Sequence, residues 1–325
     1  MSKIVGMDIG YSNIVTVFGD SNSSPETIVR PARAIRSSDL YSGFSLRDGE
    51  VLVNVGGVEW VAFAAPGRTQ GACELHEDYI ASDTYEALFK ASLLHAAGSD
   101  GVIDTLVTGL PVTQARDANY INRVIDRMTG THYVNKEVEV TVKKVFVVAQ
   151  PIGVMADICC KNDLGEALES SVSLVIDSGF FSVGWVLFDK GNMISVGSDI
   201  SLMAMSVLLD KASDEIGKDY GGKPGSEKIE VALQSGKDYI TVFGKMVDIK
   251  EYLQRAALEL IPSVFAEIKN SLRFLGGRKV EYVILGGGGA EIYEDFARRY
   301  LPDSILIKSD NIITSNAYGF WLMGR

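Results

Sequence analysis

Two short stretches place an acid beside a glycine turn: Asp8-Ile9-Gly10-Tyr11 and Asp177-Ser178-Gly179-Phe180. Each follows one apolar strand and precedes another, so both read as tight hairpins with a carboxylate at the mouth of the turn. They lie 169 residues apart in a chain of 325. A repeat at that distance suggests two related domains. Backbone N–H groups of a glycine turn can cradle phosphate. An aspartate beside them repels phosphate unless a cation stands between. The pair therefore implies a clamp for a magnesium nucleotide, with Asp8 and Asp177 addressing Mg2+ through its waters.

A third stretch, "LGGGGAEIY" at 285–293, sets four consecutive glycines between an apolar strand and a helix. Glycine costs backbone entropy wherever a plain turn would serve. Gly286, Gly287, Gly288 and Gly289 are best explained by a ligand approaching too closely for side chains. They would make room for a nucleoside, and the following helix N-terminus would face a phosphate. A flexible turn with no ligand is the alternative. Neither the G-x-G-x-x-G spacing nor G-x-x-x-x-G-K-[ST] occurs, so those two nucleotide motifs are excluded.

The elements that must position these residues alternate between strand and helix. Ile4–Asp8 and Ile14–Phe18 form the first hairpin, and "SLVIDSGFFSVGWVLF" the second. "EVLVNVGG" and "VEWVAFAA" read as strands. Asp83 with Glu86 resembles a capping box opening a helix through Ala97. "VIDTLVTGLPVTQ" is a buried strand, followed by a helix at 117–128, two strands around 133–149 and a helix at 151–160. A polar, glycine-rich passage from Gly217 to Gly225 separates two helices. A long helix at 247–275, a strand, the four glycines and a helix at 291–300 close the pattern. The tail "SNAYGFWLMGR" has Ala317, Phe320 and Trp321 at helical spacing.

Composition narrows the function. No apolar run approaches the ~18 residues of a membrane span, and the chain enters a strand at once, with no signal peptide expected. Cys73, Cys159 and Cys160 cannot build a disulfide framework, so a reduced, cytoplasmic protein is expected. The net charge is −11. The only compact basic stretch is Arg30, Arg33 and Arg36, which argues against direct nucleic-acid binding. Any DNA would be held by another protein.

In order and spacing, "IVGMDIGYSNIVTVF", "VTGLPVT", "VFVVAQPIGVM", "LVIDSGFFSVGWVLF" and "YVILGGGGAEIY" resemble the superfamily of actins, sugar kinases and heat-shock chaperones. The chain looks most similar to the bacterial plasmid-segregating actins (ParM and StbA) and the archaeal actin-like proteins. That resemblance implies a two-domain α/β actin-like (ribonuclease H-like) fold with a nucleotide cleft between the domains. Domain I would comprise 1–152 plus 315–325, and domain II 153–314. The first hairpin resembles the phosphate-1 loop, so Asp8, Gly10, Tyr11, Ser12 and Asn13 would meet phosphates and metal. The second resembles phosphate-2, giving Asp177, Ser178, Gly179, Phe180 and Ser182. Gly286 to Gly289 resemble the adenosine loop. Gln150 occupies the position where relatives carry a Gln or Glu that orients the attacking water. As an amide it is a poor base, so hydrolysis would be slow. A polar residue merely starting a helix before Pro151 is the other reading of Gln150.

Lys211, Asp214 and Glu215 fall on the helix after phosphate-2, where relatives contact ribose and base; a solvated helical face explains them equally well. Two departures stand out. Val15 occupies a position where many relatives have lysine, and Phe180 and Phe181 stand where small residues and threonine are common. His76 near Cys73 lacks the partner pair of a zinc site, and neither His95 nor His132 has the context of a triad.

The resemblance implies a filament-forming ATPase that uses ATP or GTP with Mg2+, polymerises with itself, and segregates plasmid DNA through a DNA-binding adaptor. A small-molecule kinase of the same superfamily is the alternative. It needs a carboxylate base near the γ-phosphate, and Asp117 is too far along its loop to serve. A chaperone-like or membrane-tethered relative is the third class, but the chain has neither a substrate domain nor a charged amphipathic tail.

Overall fold

A computed structural model describes residues 2–40, 45–65, 68, 78–161 and 164–325. Cys73 and His76 lie outside the described residues. The chain divides into two compact units, Met1–Gly165 with Ser309–Arg325, and Glu166–Lys308. The division thus falls at 165/166 and 308/309, where the sequence reading drew it at 152/153 and 314/315.

Unit 1 is organised on a five-stranded sheet in the order Val145–Ala149, Thr105–Leu110, Lys3–Ile9, Asn13–Asp20, Glu26–Pro31. The hairpin strands Lys3–Ile9 and Asn13–Asp20 pair antiparallel, and Thr105–Leu110 lies parallel on the other side of the first strand. Alternation sorts the first strand between two cores. Val5, Met7 and Ile9 enter the main cluster with Leu88, Phe89 and Leu93 of the helix Asp83–Ala96. On the opposite face Ile4 joins Val15, Val17, Ala317 and Trp321 beneath the tail helix Ser315–Met323. Gly6 permits this second packing, because a Cβ there would collide with the backbone at Ala317 and Trp321.

The helix Gln150–Lys161 packs on that same tail helix. A side chain at Gly319 would run into the backbone of Gly153. Fully buried Asp157 ties the two segments. It accepts from Ser309 Oγ at 2.9 Å and Ser315 Oγ at 2.7 Å, and pairs with Lys161 at 2.7 Å. These contacts place both the helix after Gln150 and the segment from Ser309 in unit 1.

Unit 2 repeats the arrangement. Its sheet runs Asn192–Met193, Val183–Asp189, Val172–Ser178, Tyr282–Gly286, Ile305–Lys308, with Asp199–Ser201 also paired to Val183–Asp189. Again an antiparallel hairpin is extended by parallel strands beside its first member. Helices Met205–Tyr220, Ser226–Gln234, Ile249–Leu272 and Ala290–Tyr300 belong to the unit.

Two expectations change. The helix at 83 is capped by Ser82, whose hydroxyl accepts from the Tyr85 N–H, and not by an Asp83–Glu86 box. The long helix begins at Ile249, because Lys245–Asp248 pairs with Tyr239–Val242 as a small hairpin. Asp248 then caps the helix through the Lys250 N–H. Among the described residues no helix is long and apolar enough to cross a membrane.

Candidate functional site

Unit 1 presents Asp8 one residue before the end of its central strand, opposite Val15. The turn is closed by the Gly10 N–H donating to Asn13 O at 3.1 Å, and Asn13 Nδ2 reaches Ser12 Oγ at 3.5 Å. A Cβ on Gly10 would press to 2.9 Å from that same Asn13 oxygen. Gln150, the first residue of its helix, donates Nε2 to Asp8 Oδ1 at 3.0 Å. Asn316, on the tail helix, donates Nδ2 to Asp8 Oδ2 at 3.4 Å. Two neutral amides thus address one carboxylate. Burial pushes Asp8 above the ordinary carboxylate value, and the two amides pull it part of the way back.

Aromatic rings brace the turn. Tyr11 stacks on Tyr79 at 4.3 Å between centroids, and Tyr79 meets Tyr85 edge-on at 5.3 Å. The Tyr79 hydroxyl donates to Gly10 O at 3.4 Å. Buried Tyr85 has its hydroxyl pKa pushed up, first by desolvation and then by the Asp8 charge. Val15, where a cation was looked for, is buried under the tail helix.

Unit 2 builds its turn on the same plan. Asp177 lies one residue before the end of its strand, and the Gly179 N–H donates to Ser182 O at 3.0 Å. The offsets from aspartate to glycine to acceptor are the same in both units. The glycine run is stitched to this turn. Ser178 Oγ donates to Gly286 O at 3.0 Å, and the Gly289 N–H donates to Ser178 O at 2.9 Å.

The glycines of the run differ in what surrounds them. Gly287 has φ +78°, and a Cβ there would strike the Asp177 carboxylate. Gly289 sits against Ser178 and Met205, where a Cβ would be 3.1–3.2 Å from its neighbours. Gly288 is exposed, with nothing within 4 Å of a Cβ. The helix Ala290–Tyr300 starts immediately after, with no side-chain cap on its N-terminus. Such an end favours an anion.

Other candidates fall elsewhere in the unit. Phe180 packs on the cluster of Leu209 and Ala212, while its carbonyl accepts from the Ser206 N–H at 2.9 Å. Its backbone rather than its ring therefore belongs to the turn. Lys211 pairs with Glu259 at 2.6 Å and Glu215 at 3.8 Å. Asp214 pairs with Lys223 at 2.6 Å and lines a depression of ≈ 340 Å³ with Gly217 and Gly222.

The residues fit a hydrated cation better than a caged one. Among the described residues no group of three or more His, Cys, Asp or Glu could hold a metal. Asp8 is instead a desolvated carboxylate whose side-chain hydrogen bonds are to neutral amides. Mg2+ held through waters and substrate phosphates suits that arrangement.

Asn316 and Tyr79 were not singled out from the sequence. Asn316 is 308 positions from Asp8, so no local spacing marks it. The available signal was Gly6, a glycine inside a strand, which announces close approach by another backbone.

Residues 6–153 match the family model described as the N-terminal domain of actin-like proteins. Solved structures match over the whole chain. An archaeal actin homologue in its native form aligns at TM-score 0.77 and 18% identity, covering 98% of each chain. A 15-stranded ParM filament from Clostridium botulinum aligns at 0.70 and 17%, covering 99% of each. The actin-like protein Alp7A aligns at 0.76 and 15%, covering 100% of this chain and 96% of that one. Among curated proteins no sequence matches. The chain has the actin-like fold, and residues 6–153 are similar to the N-terminal domain of actin-like proteins. Within that fold its structural neighbours are ParM proteins, archaeal actin homologues and Alp filament proteins.

Proposed function

We propose that the chain binds a magnesium nucleotide, assembles with copies of itself into filaments, and hydrolyses the nucleotide slowly to limit their lifetime. The observation that carries this reading is the matched pair of turns: the same aspartate, glycine and acceptor offsets in both units. Each turn would offer backbone N–H groups to phosphate, and the uncapped helix at Ala290 would offer its N-terminus to an anion. Asp8 and Asp177 would address Mg2+ through its waters, and the ion would neutralise phosphate charge.

The Gln150 amide is oriented by Asp8, which takes its N–H and leaves its oxygen as an acceptor for a water proton. An amide positions water without deprotonating it, so turnover is slow. Solved relatives support the reading: the archaeal homologue has been solved with ADP, and two matched structures are described as filaments. With its net charge of −11, the chain would move plasmid DNA only through a basic adaptor. The setting proposed is the cytoplasm, with ATP or GTP as the nucleotide.

The test follows light scattering and phosphate release on one sample with magnesium and ATP, GTP or ADP. Wild type scatters and then decays as nucleotide is consumed. Gln150→Ala assembles normally, but releases phosphate about tenfold or more slowly, a barrier change of ~1.4 kcal/mol, and its filaments persist. A wild type that never scatters would remove the filament reading. A Gln150→Ala variant turning over at the wild-type rate would remove only the role of that residue.

A further inference from the structure

The hairpin Tyr239–Val242 and Lys245–Asp248 turns through Phe243 and Gly244, with φ of +46° and +79°. Two positive φ values define the tight turn that normally takes Asn-Gly or Asp-Gly. A phenylalanine there is strained, and such strain persists where the surroundings or a function retain it. The fold does little to retain it. Phe243 is 75% exposed, and one edge of its ring lies over Gly222, where a Cβ would stand 2.5 Å from it.

Inner-facing Ile240, Val242 and Val247 are buried, so the hairpin is anchored. Lys228 Nζ donates to Thr241 O at 2.6 Å and braces it further. The outer face is a different matter. Met246 is 70% exposed and Tyr239 48%. Aromatic residues and methionine are the types concentrated in protein interfaces.

Charge indicates the partner. Lys223 and Lys250 near the hairpin are tied to Asp214 and Asp238. Among the described residues, exposed Lys228 and Lys245 beside the turn form no ion pair, and Lys245 Nζ lies 5.8 Å from the Tyr220 ring centroid. Two exposed lysines beside an apolar tip suit an acidic surface, and a chain of net charge −11 supplies one in its own copies.

We infer that the Phe243–Met246 hairpin tip is a contact through which one copy of the chain docks on the next. This rests on the filament reading and adds the residues that would carry it. A tip on one copy meeting a different surface on the next is a heterologous contact, the kind that propagates into a filament.

Phe243→Asn separates docking from folding, because asparagine suits the left-handed backbone that phenylalanine resists. The full-length variant should melt no lower than wild type and bind magnesium nucleotide equally well by calorimetry. Its critical concentration for assembly, from scattering and sedimentation, should rise at least tenfold. Met246→Asp should do the same. If wild type assembles and both variants assemble at the wild-type concentration, the docking role is overturned while the filament reading stands. If wild type fails to assemble with ATP, GTP and ADP alike, both are overturned.

Discussion

Asp8 is a desolvated carboxylate whose side-chain hydrogen bonds come from two neutral amides. Burial raises its pKa above the ordinary 3.8, and Gln150 and Asn316 offset only part of that. A raised acid binds its proton more tightly in the folded state than in the unfolded one. Without ligand, folding stability therefore falls as pH rises from the ordinary carboxylate value through the raised one, and the loss persists above it. Asp8→Asn removes that penalty. The unliganded variant should melt at or above the wild-type midpoint at pH 7, and its midpoint should lose this part of the decline between pH 4 and 7. Thermal unfolding by circular dichroism across that range checks it. A variant markedly less stable than wild type at pH 7 would mean that the carboxylate is a structural acceptor and carries no stored charge penalty.

At the scale of elements, the glycines separate packing from ligand space. Gly319→Ala would force the tail helix off the backbone of Gly153. Overpacking of this kind costs about 1–3 kcal/mol, and it would draw Asn316 away from Asp8. The expected result is a melting midpoint lower by several degrees together with weaker nucleotide binding. Gly288→Ala meets no neighbour and should leave the midpoint unchanged, while nucleotide binding still falls because the new methyl occupies ligand space. Calorimetry and thermal melts on both variants distinguish these outcomes; normal binding by Gly288→Ala would count against a nucleoside at the glycine run. The same residues mark how far sequence reading reached. The aspartate hairpins and the strand-glycine-helix sequence were legible because strand period and turn chemistry are local. Ser82 displaced Asp83 as the cap because a hydroxyl placed one residue earlier reaches the Tyr85 N–H. The helix after Gln150 stayed with unit 1 for a long-range reason: Gly153, Gly319 and Asp157 bind it to a segment about 150 residues away. Asn316 was hidden for that reason too.

At the scale of the whole molecule, one plan is used twice. In each unit an antiparallel hairpin is flanked by a parallel strand, and the aspartate stands at the same offset from its glycine turn. Repetition of packing alone would keep the apolar pattern and let the acid drift. The acid at the same offset in both units is the observation that supports the proposal of a charged ligand. The central proposal is that the aspartate turns bind a magnesium nucleotide. Its most direct test is isothermal titration of ATP into wild type, Asp8→Asn and Asp177→Asn, each with magnesium and with chelator. Wild type should bind one nucleotide more tightly with magnesium, and each variant should lose at least tenfold in affinity together with most of the magnesium dependence. Wild-type affinity and magnesium dependence in both variants would contradict the proposal.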